Sequence, residues 1–112
     1  MLVTKATFDE VVGTSFQGRI QSSFDDLVDL LGSPHYLFTR DEPIGNEPDK
    51  VRCEWHLKID GIVVTIYDWK TDPTPIPAIT EWHIGGNSIR AVNKFIYLQG
   101  MRLDQFDFQD LM

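Results

Sequence analysis

The residue types able to do chemistry gather in two runs, Thr65-Ile66-Tyr67-Asp68-Trp69-Lys70 and Glu81-Trp82-His83-Ile84-Gly85-Gly86-Asn87-Ser88. The second reads as a short strand that breaks at the glycine pair and opens a helix. Such a junction offers free backbone N–H groups at the positive end of a helix, where a phosphate or carboxylate is held. Glycine lets a ligand approach the backbone closely, Asn87 or Ser88 adds a hydrogen bond, and Arg90 stands one turn in. Gly85, Gly86, Asn87, Ser88 and Arg90 are thus a candidate ligand site, with Tyr67 and Trp69 as rings on which a base stacks. An ordinary tight turn into a capped helix explains the same spacing without any ligand. The two rings, for their part, equally suit a cover over the sheet against a loop or a second subunit.

Asp68 and His83 are the pair that a small hydrolase would use. General-base chemistry also needs a nucleophile or a held water, and nothing supplies one at a recognisable spacing. A buried Asp68 needs a partner, for which Arg90, Lys70 and His83 are candidates. His35, His56 and His83 are scattered, and neither His-x-His nor His-Glu-x-x-His occurs, so no metal site and no cofactor is expected. His56 reads as a surface histidine. Cys53, the one cysteine, excludes an internal disulfide and a thiolate cage and reads as a packing residue.

Seventeen acids against ten bases leave a net charge of −7. That balance disfavours binding along nucleic-acid backbones, which needs clustered Lys and Arg. It suits solubility, and equally a negative surface offered to a basic partner protein. Asp41, Glu42, Asp107 and Asp110 are the candidate acids for such a contact. No apolar run reaches membrane-spanning length and Met1 to Glu10 carry no signal-peptide pattern, so the expected compartment is a cytoplasm.

The elements that position these residues follow from periodicity. Leu2 to Val12 read weakly as a strand, Gly13 breaks it, and Ser15 to Gln21 form a second. Ser22 or Ser23 caps a helix whose Phe24, Leu27, Val28 and Leu31 make one apolar stripe, closed by Gly32 and Pro34. Thr39 to Lys50 is a polar loop. From Val51 to Ile59 apolar and polar residues alternate, and Asp60-Gly61 is the preferred pair for a type I′ turn. The turn sets the register: Ile59 faces Ile62, Leu57 faces Val64, Trp55 faces Ile66 and Cys53 faces Asp68. The other face pairs Lys58 with Val63, His56 with Thr65, Glu54 with Tyr67 and Arg52 with Trp69.

Thr71 to Thr80, with three prolines, reads as extended, and Thr80 to Ile84 as a strand with Trp82 and Ile84 inward. A helix from Asn87 or Ser88 to about Gln99 packs Ile89, Val92 and Ile96, with Phe95 alongside, on the sheet. The tail, 101–112, reads as an edge strand, a docking arm or an oligomer contact. The fold class is α+β: one domain spanning 1–112, an antiparallel sheet centred on the 51–70 hairpin, and two helices (about 23–31 and 88–99) on one face. Its core joins Trp55, Leu57, Ile59, Ile62, Val64, Ile66, Trp82 and Ile84 to Phe24, Leu27, Val28, Leu31, Val92 and Ile96.

The run Ser22 to Gly32, Glu54-Trp55, Thr65 to Lys70 and Trp82 to Gly86 together resemble a family of small bacteriophage proteins. Its members share a helix ending in Leu-Gly-x-Pro, a Thr-Ile-Tyr-Asp-Trp-Lys strand and a Trp-His-Ile-Gly-Gly junction. The likeness covers about Phe16 to Tyr97 and leaves out the three-proline loop and the tail. It carries no catalytic residue with it. What it implies is a phage accessory protein in the cytoplasm of an infected host. Such a protein counters host defence without catalysis, either as an anti-CRISPR-like antagonist of a host immune protein or as a sponge for a nucleotide signal.

Overall fold

The computed structural model describes residues 1–37 and 50–101, together with the backbone of 107–109. Seven strands join one sheet: β1 (Leu2–Lys5), β2 (Ser15–Gln21), β3 (Tyr36–Leu37), β4 (Cys53–Ile59), β5 (Ile62–Tyr67), β6 (Glu81–Gly86) and β7 (Asp107–Gln109). The helices are α1 (Phe8–Val11), α2 (Phe24–Leu31) and α3 (Arg90–Gly100). The strand order is β2-β6-β5-β4-β1-β7, with β3 beside β4 on the same edge as β1. All pairs are antiparallel except β1 with β7. The class is α+β, with the 51–70 hairpin central.

Asp60 and Gly61 both take positive φ, 50° and 82°, as a type I′ turn requires. The register from Ile59↔Ile62 to Glu54↔Tyr67 is the one the turn dictates. Alternation along β4 then buries Cys53, Trp55, Leu57 and Ile59 on one side, where α2 and α3 cover them. Ser23 caps α2 by accepting from the Asp26 N–H (3.0 Å), Asp25 and Asp26 occupy its first turn, and Gly32 ends it at φ 82°. Leu27 and Leu31 are buried, while Phe24 and Val28 pack at the margin of the core.

Several expectations fail, each for a local reason. The first strand ends at Lys5 rather than running to Val12, because Thr7 and Glu10 form a reciprocal capping box that starts the single turn of α1. Residues 71–80 are not simply extended: Ile76–Ala78 make a turn of 3-10 helix. Helix α3 starts at Arg90, two residues later than expected, and its inward positions are Ala91, Val92, Phe95 and Leu98. Ile96, expected in the core, is 53% exposed, since Phe95 holds the inward position beside it. Ile89 is likewise exposed, and Ile62 is only partly buried. The loop 39–50 lies outside the described residues except for Lys50.

The glycine pair departs most. Gly85 and Gly86 do not break the strand but belong to β6, an interior strand paired with β2 on one side and β5 on the other. Their sequence role is close packing. A Cβ on Gly86 would stand 2.5 Å from the Ala91 methyl, and one on Gly85 would stand 2.4 Å from the Thr65 hydroxyl. Gly86 is one of the places where α3 packs closely on the sheet.

Candidate functional site

The face of the sheet away from α2 and α3 carries Tyr67 and His83 as cross-strand partners of β5 and β6. Their rings meet edge-on at 5.6 Å. Just past the end of β5, Trp69 lies nearly parallel to His83, with centroids 5.9 Å apart and planes 20° apart, and meets Tyr67 edge-on at 6.4 Å. Phe16 of β2 completes the group, tilted against His83 at 4.7 Å. Phe16 is 49% and Trp69 40% exposed.

Phe16 and Arg19 share this face only because β2 bulges. An odd spacing would set them on opposite sides of a regular strand, but the register slips between Phe16 and Gly18, so Phe16 faces Gly85 and Arg19 faces His83. Arg19 then lies over the Phe16 ring at 5.3 Å. The side-chain amide of the bulged Gln17 donates to the Gly86 carbonyl (3.0 Å) and the Ser15 hydroxyl (3.2 Å). Lys50 and Lys70 place their ammonium groups 5.6 and 5.9 Å from the Trp69 ring. Phe16, Arg19 and Lys50 were absent from the sequence-based site. The signal that would have found the first two is Gly18 inside a strand pattern, the mark of a bulge.

Burial holds His83 below the usual histidine range, and the nearby Arg19 charge acts in the same direction. Burial also raises Tyr67, helped by the Glu54 charge. A pocket of about 360 Å³ opens beside this wall, between the 70–80 segment and β6. Trp69 and His83 border it together with Thr71, Thr74 and Glu81. Glu81 also accepts from Gln21 (3.0 Å) and faces Arg19 at 3.8 Å.

Gly85 lies under this surface, where a Cβ would stand 3.2 Å from the Tyr67 ring, but the rest of the glycine junction, from Gly86 to Arg90, is not part of it. Gly85 and Gly86 are buried in the ladder, so their backbone groups belong to strand pairing and not to an open nest. Asn87 and Ser88 are exposed, and the Ser88 hydroxyl accepts from the Arg90 N–H at 3.2 Å, with no side-chain cap on α3 itself. Arg90 lies on the helix side of the sheet, beside a groove it shares with Asn93, Lys94 and Tyr97. The geometry therefore brings Tyr67 and Trp69 together but separates them from Gly86 and Arg90.

Asp68 is fully buried and already engaged. Its Oδ1 accepts the Arg52 N–H (2.7 Å) and the Cys53 N–H (2.9 Å), and its Oδ2 accepts the Thr71 hydroxyl and lies 3.5 Å from Arg52 Nε. The partner is thus Arg52, not Arg90, Lys70 or His83. Arg52 is 6% exposed rather than standing beside Trp69 on the open face, and its guanidinium also donates to Thr71 (2.7 Å) and to the Thr74 carbonyl. One carboxylate and one guanidinium so tie the start of β4 to the 71–74 segment that walls the pocket. His83 projects from the opposite face, so Asp68 and His83 do not form one acid–base pair.

His56 is half-buried rather than a free surface group: its ring nitrogen is 2.8 Å from Glu54, and its backbone N–H donates to His35 Nδ1 at 2.8 Å. Cys53 is buried, which pushes its thiol up to about 12. Among the described residues no three His, Cys, Asp or Glu side chains converge as a metal site, and no helix is long and apolar enough to cross a membrane. Asp41, Glu42 and Asp110 lie outside the described residues, and only the backbone of Asp107 is described, in β7.

The fold and the site define an α+β domain with an open aromatic sheet face. No family model, curated protein or solved structure matches the chain.

Proposed function

We propose that this chain is a non-enzymatic binding protein whose recognition surface is the outer face of the sheet. The observation that carries the reading is the cluster of Phe16, Tyr67, Trp69 and His83, with two large rings open to solvent and three cations around them. Exposed rings of this size lose favourable burial unless a partner covers them, and Trp, Tyr and Arg are the side chains that anchor binding surfaces. In the phage setting that the resemblance implies, the target is a component of host defence, and the protein antagonises it by occupying or sequestering it in the host cytoplasm. The burial of Asp68 and its three hydrogen bonds favour this over a hydrolase built on Asp68 and His83. Docking of a basic host protein on Asp41, Glu42, Asp107 and Asp110 is a separate route on the acidic surface, to be read from its salt dependence.

The test is retention from host lysate on immobilised protein, with bound proteins and small molecules both identified by mass spectrometry. Wild type should hold a discrete host component that the Phe16→Ala/Trp69→Ala variant, folded by circular dichroism, releases. Equal retention by both would sink the reading.

A further inference from the structure

Resting on that reading, we propose that the pocket beside Trp69 and His83 takes a free nucleotide, its base on the ring wall and its phosphate toward Lys50 and Lys70. Three features of the site converge on this ligand chemistry. Trp69, near-parallel to His83 and 40% exposed, offers open ring surface of the kind on which bases stack, at about 1–3 kcal/mol per base in single-strand binders. The adjoining volume of about 360 Å³ falls in the range of small-ligand sites, roughly 300–1,000 Å³. Its lining is polar: the Thr74 and Thr80 hydroxyls both donate and accept, and the Glu81 carboxylate accepts from an exocyclic amine on a base edge.

Charge placement supplies the anionic part. The chain carries a net −7 with only ten basic residues, yet three of them, Arg19, Lys50 and Lys70, lie within 6 Å of rings in this one cluster. Arg19 is balanced by Glu81 at 3.8 Å, which leaves the two lysines flanking Trp69 as the anchors for phosphate. The same charge balance selects a small ligand over a strand. A polyanion running past the pocket would meet the acidic remainder of the surface, including the Asp72 and Glu81 carboxylates of the lining, whereas one phosphate beside Trp69 meets Lys50 and Lys70 at close range. The Glu81 carboxylate disfavours an anion on its own wall of the pocket, so the ligand lies with its sugar-phosphate end toward residues 50 and 70.

Trp69 makes the test direct, because Trp55 and Trp82 are fully buried and a surface ligand reaches only Trp69. The purified full chain is titrated with each of the four ribonucleoside 5′-monophosphates, with adenosine, with ribose 5-phosphate and with an eight-nucleotide single strand, by tryptophan emission and by calorimetry. At least one monophosphate should bind saturably and quench Trp69. It should bind more tightly than its parts, and at least tenfold more weakly to folded Trp69→Ala and to Lys50→Ala/Lys70→Ala. Absence of saturable binding by all four monophosphates up to millimolar concentration overturns the proposal. So does an oligonucleotide that binds more than tenfold tighter than any monophosphate, which would make the face a strand-binding platform. If Phe16→Ala/Trp69→Ala abolishes lysate retention while nucleotides fail to bind, the pocket assignment is wrong and the recognition face stands. If the variant retains everything and nucleotides also fail, both fall.

Discussion

Trp55 and Trp82 meet edge-to-face at 5.6 Å, and their indole N–H groups grip opposite ends of one helix. Trp55 Nε1 donates to the Gly32 carbonyl at the end of α2 (2.9 Å), and Trp82 Nε1 donates to the Ser22 carbonyl just before its cap (3.0 Å). Phe24 packs on both rings from the same helix. The two core rings of the sheet are therefore also the clasp of α2. Each polar edge answers a buried ring's need for a partner and satisfies a carbonyl at a helix end.

That clasp predicts more than a size effect. Trp55→Phe leaves the Gly32 carbonyl without its donor and opens space beneath α2, at a cost of about 2–4 kcal/mol. Trp82→Phe should cost a similar amount. Urea unfolding with an unchanged slope and a lowered midpoint is the expected readout. A loss below about 1 kcal/mol in either variant would mean that the indole N–H bonds contribute little.

The glycines of β6 give the second prediction, which separates packing from anion binding. Gly86→Ala drives a methyl into Ala91 on α3 and should cost about 1–3 kcal/mol by overpacking. In an Ala91→Gly background the same change should cost measurably less, because the closest contact is gone and only the Val63 carbonyl oxygen at 3.0 Å still crowds the methyl. Gly85→Ala meets the Thr65 hydroxyl oxygen, fixed on a buried β-branched side chain, and the Tyr67 ring at 3.2 Å, and should cost a similar amount. A ligand nest would behave otherwise: binding would fall in both variants with stability unchanged.

This pair also marks how far the sequence could be read. The hairpin register was legible to the residue, since Asp60-Gly61 permits one turn type and alternation decides which face is buried. Helix α2 was legible from Ser23, its apolar stripe and Gly32. Gly85-Gly86 was not, because glycine in a strand for close packing and glycine in a turn for positive φ look alike in sequence. Distant contacts decide between them, here Ala91 and Thr65. The bulge that gathers Phe16 and Arg19, and the fold of Arg52 back onto Asp68, are tertiary outcomes of the same kind. The aromatic pair Tyr67 and Trp69 was visible as a face, but not that His83 and Phe16 complete it.

Asp68 gives the third prediction. Asp68→Ala removes one partner of a buried ion pair and strands Arg52, which should cost about 3–5 kcal/mol. Asp68→Asn keeps an oxygen for the Arg52 and Cys53 N–H groups but turns an amide toward Thr71 or Arg52, and should cost less, about 1–3 kcal/mol. Chemical denaturation of both variants ranks them. A catalytic Asp68 would give the opposite pattern, with Asp68→Asn as stable as wild type and a turnover lost.

The ion pair between Glu10 and Lys58 sets a pH signature at low pH. Glu10 takes the Lys58 ammonium and the Thr7 backbone N–H, and these bonds lower its pKa from 4.5 to about 2. A carboxylate lowered in the folded state binds protons less readily there than in the unfolded chain. Its contribution to stability is thus present above pH 4.5 and is lost as pH falls through about 2. Glu10→Gln should therefore be less stable than wild type at pH 7, and the gap should close between about pH 4.5 and pH 2. Because both groups are partly exposed, 0.5 M salt should also narrow the gap at pH 7. Thermal midpoints of the two proteins across pH 2 to 7 measure this directly. The absence of a gap at pH 7 would assign the role of Glu10 to the Thr7 cap alone, since glutamine can still accept that N–H. A gap that stays constant over that range would overturn the ion-pair account.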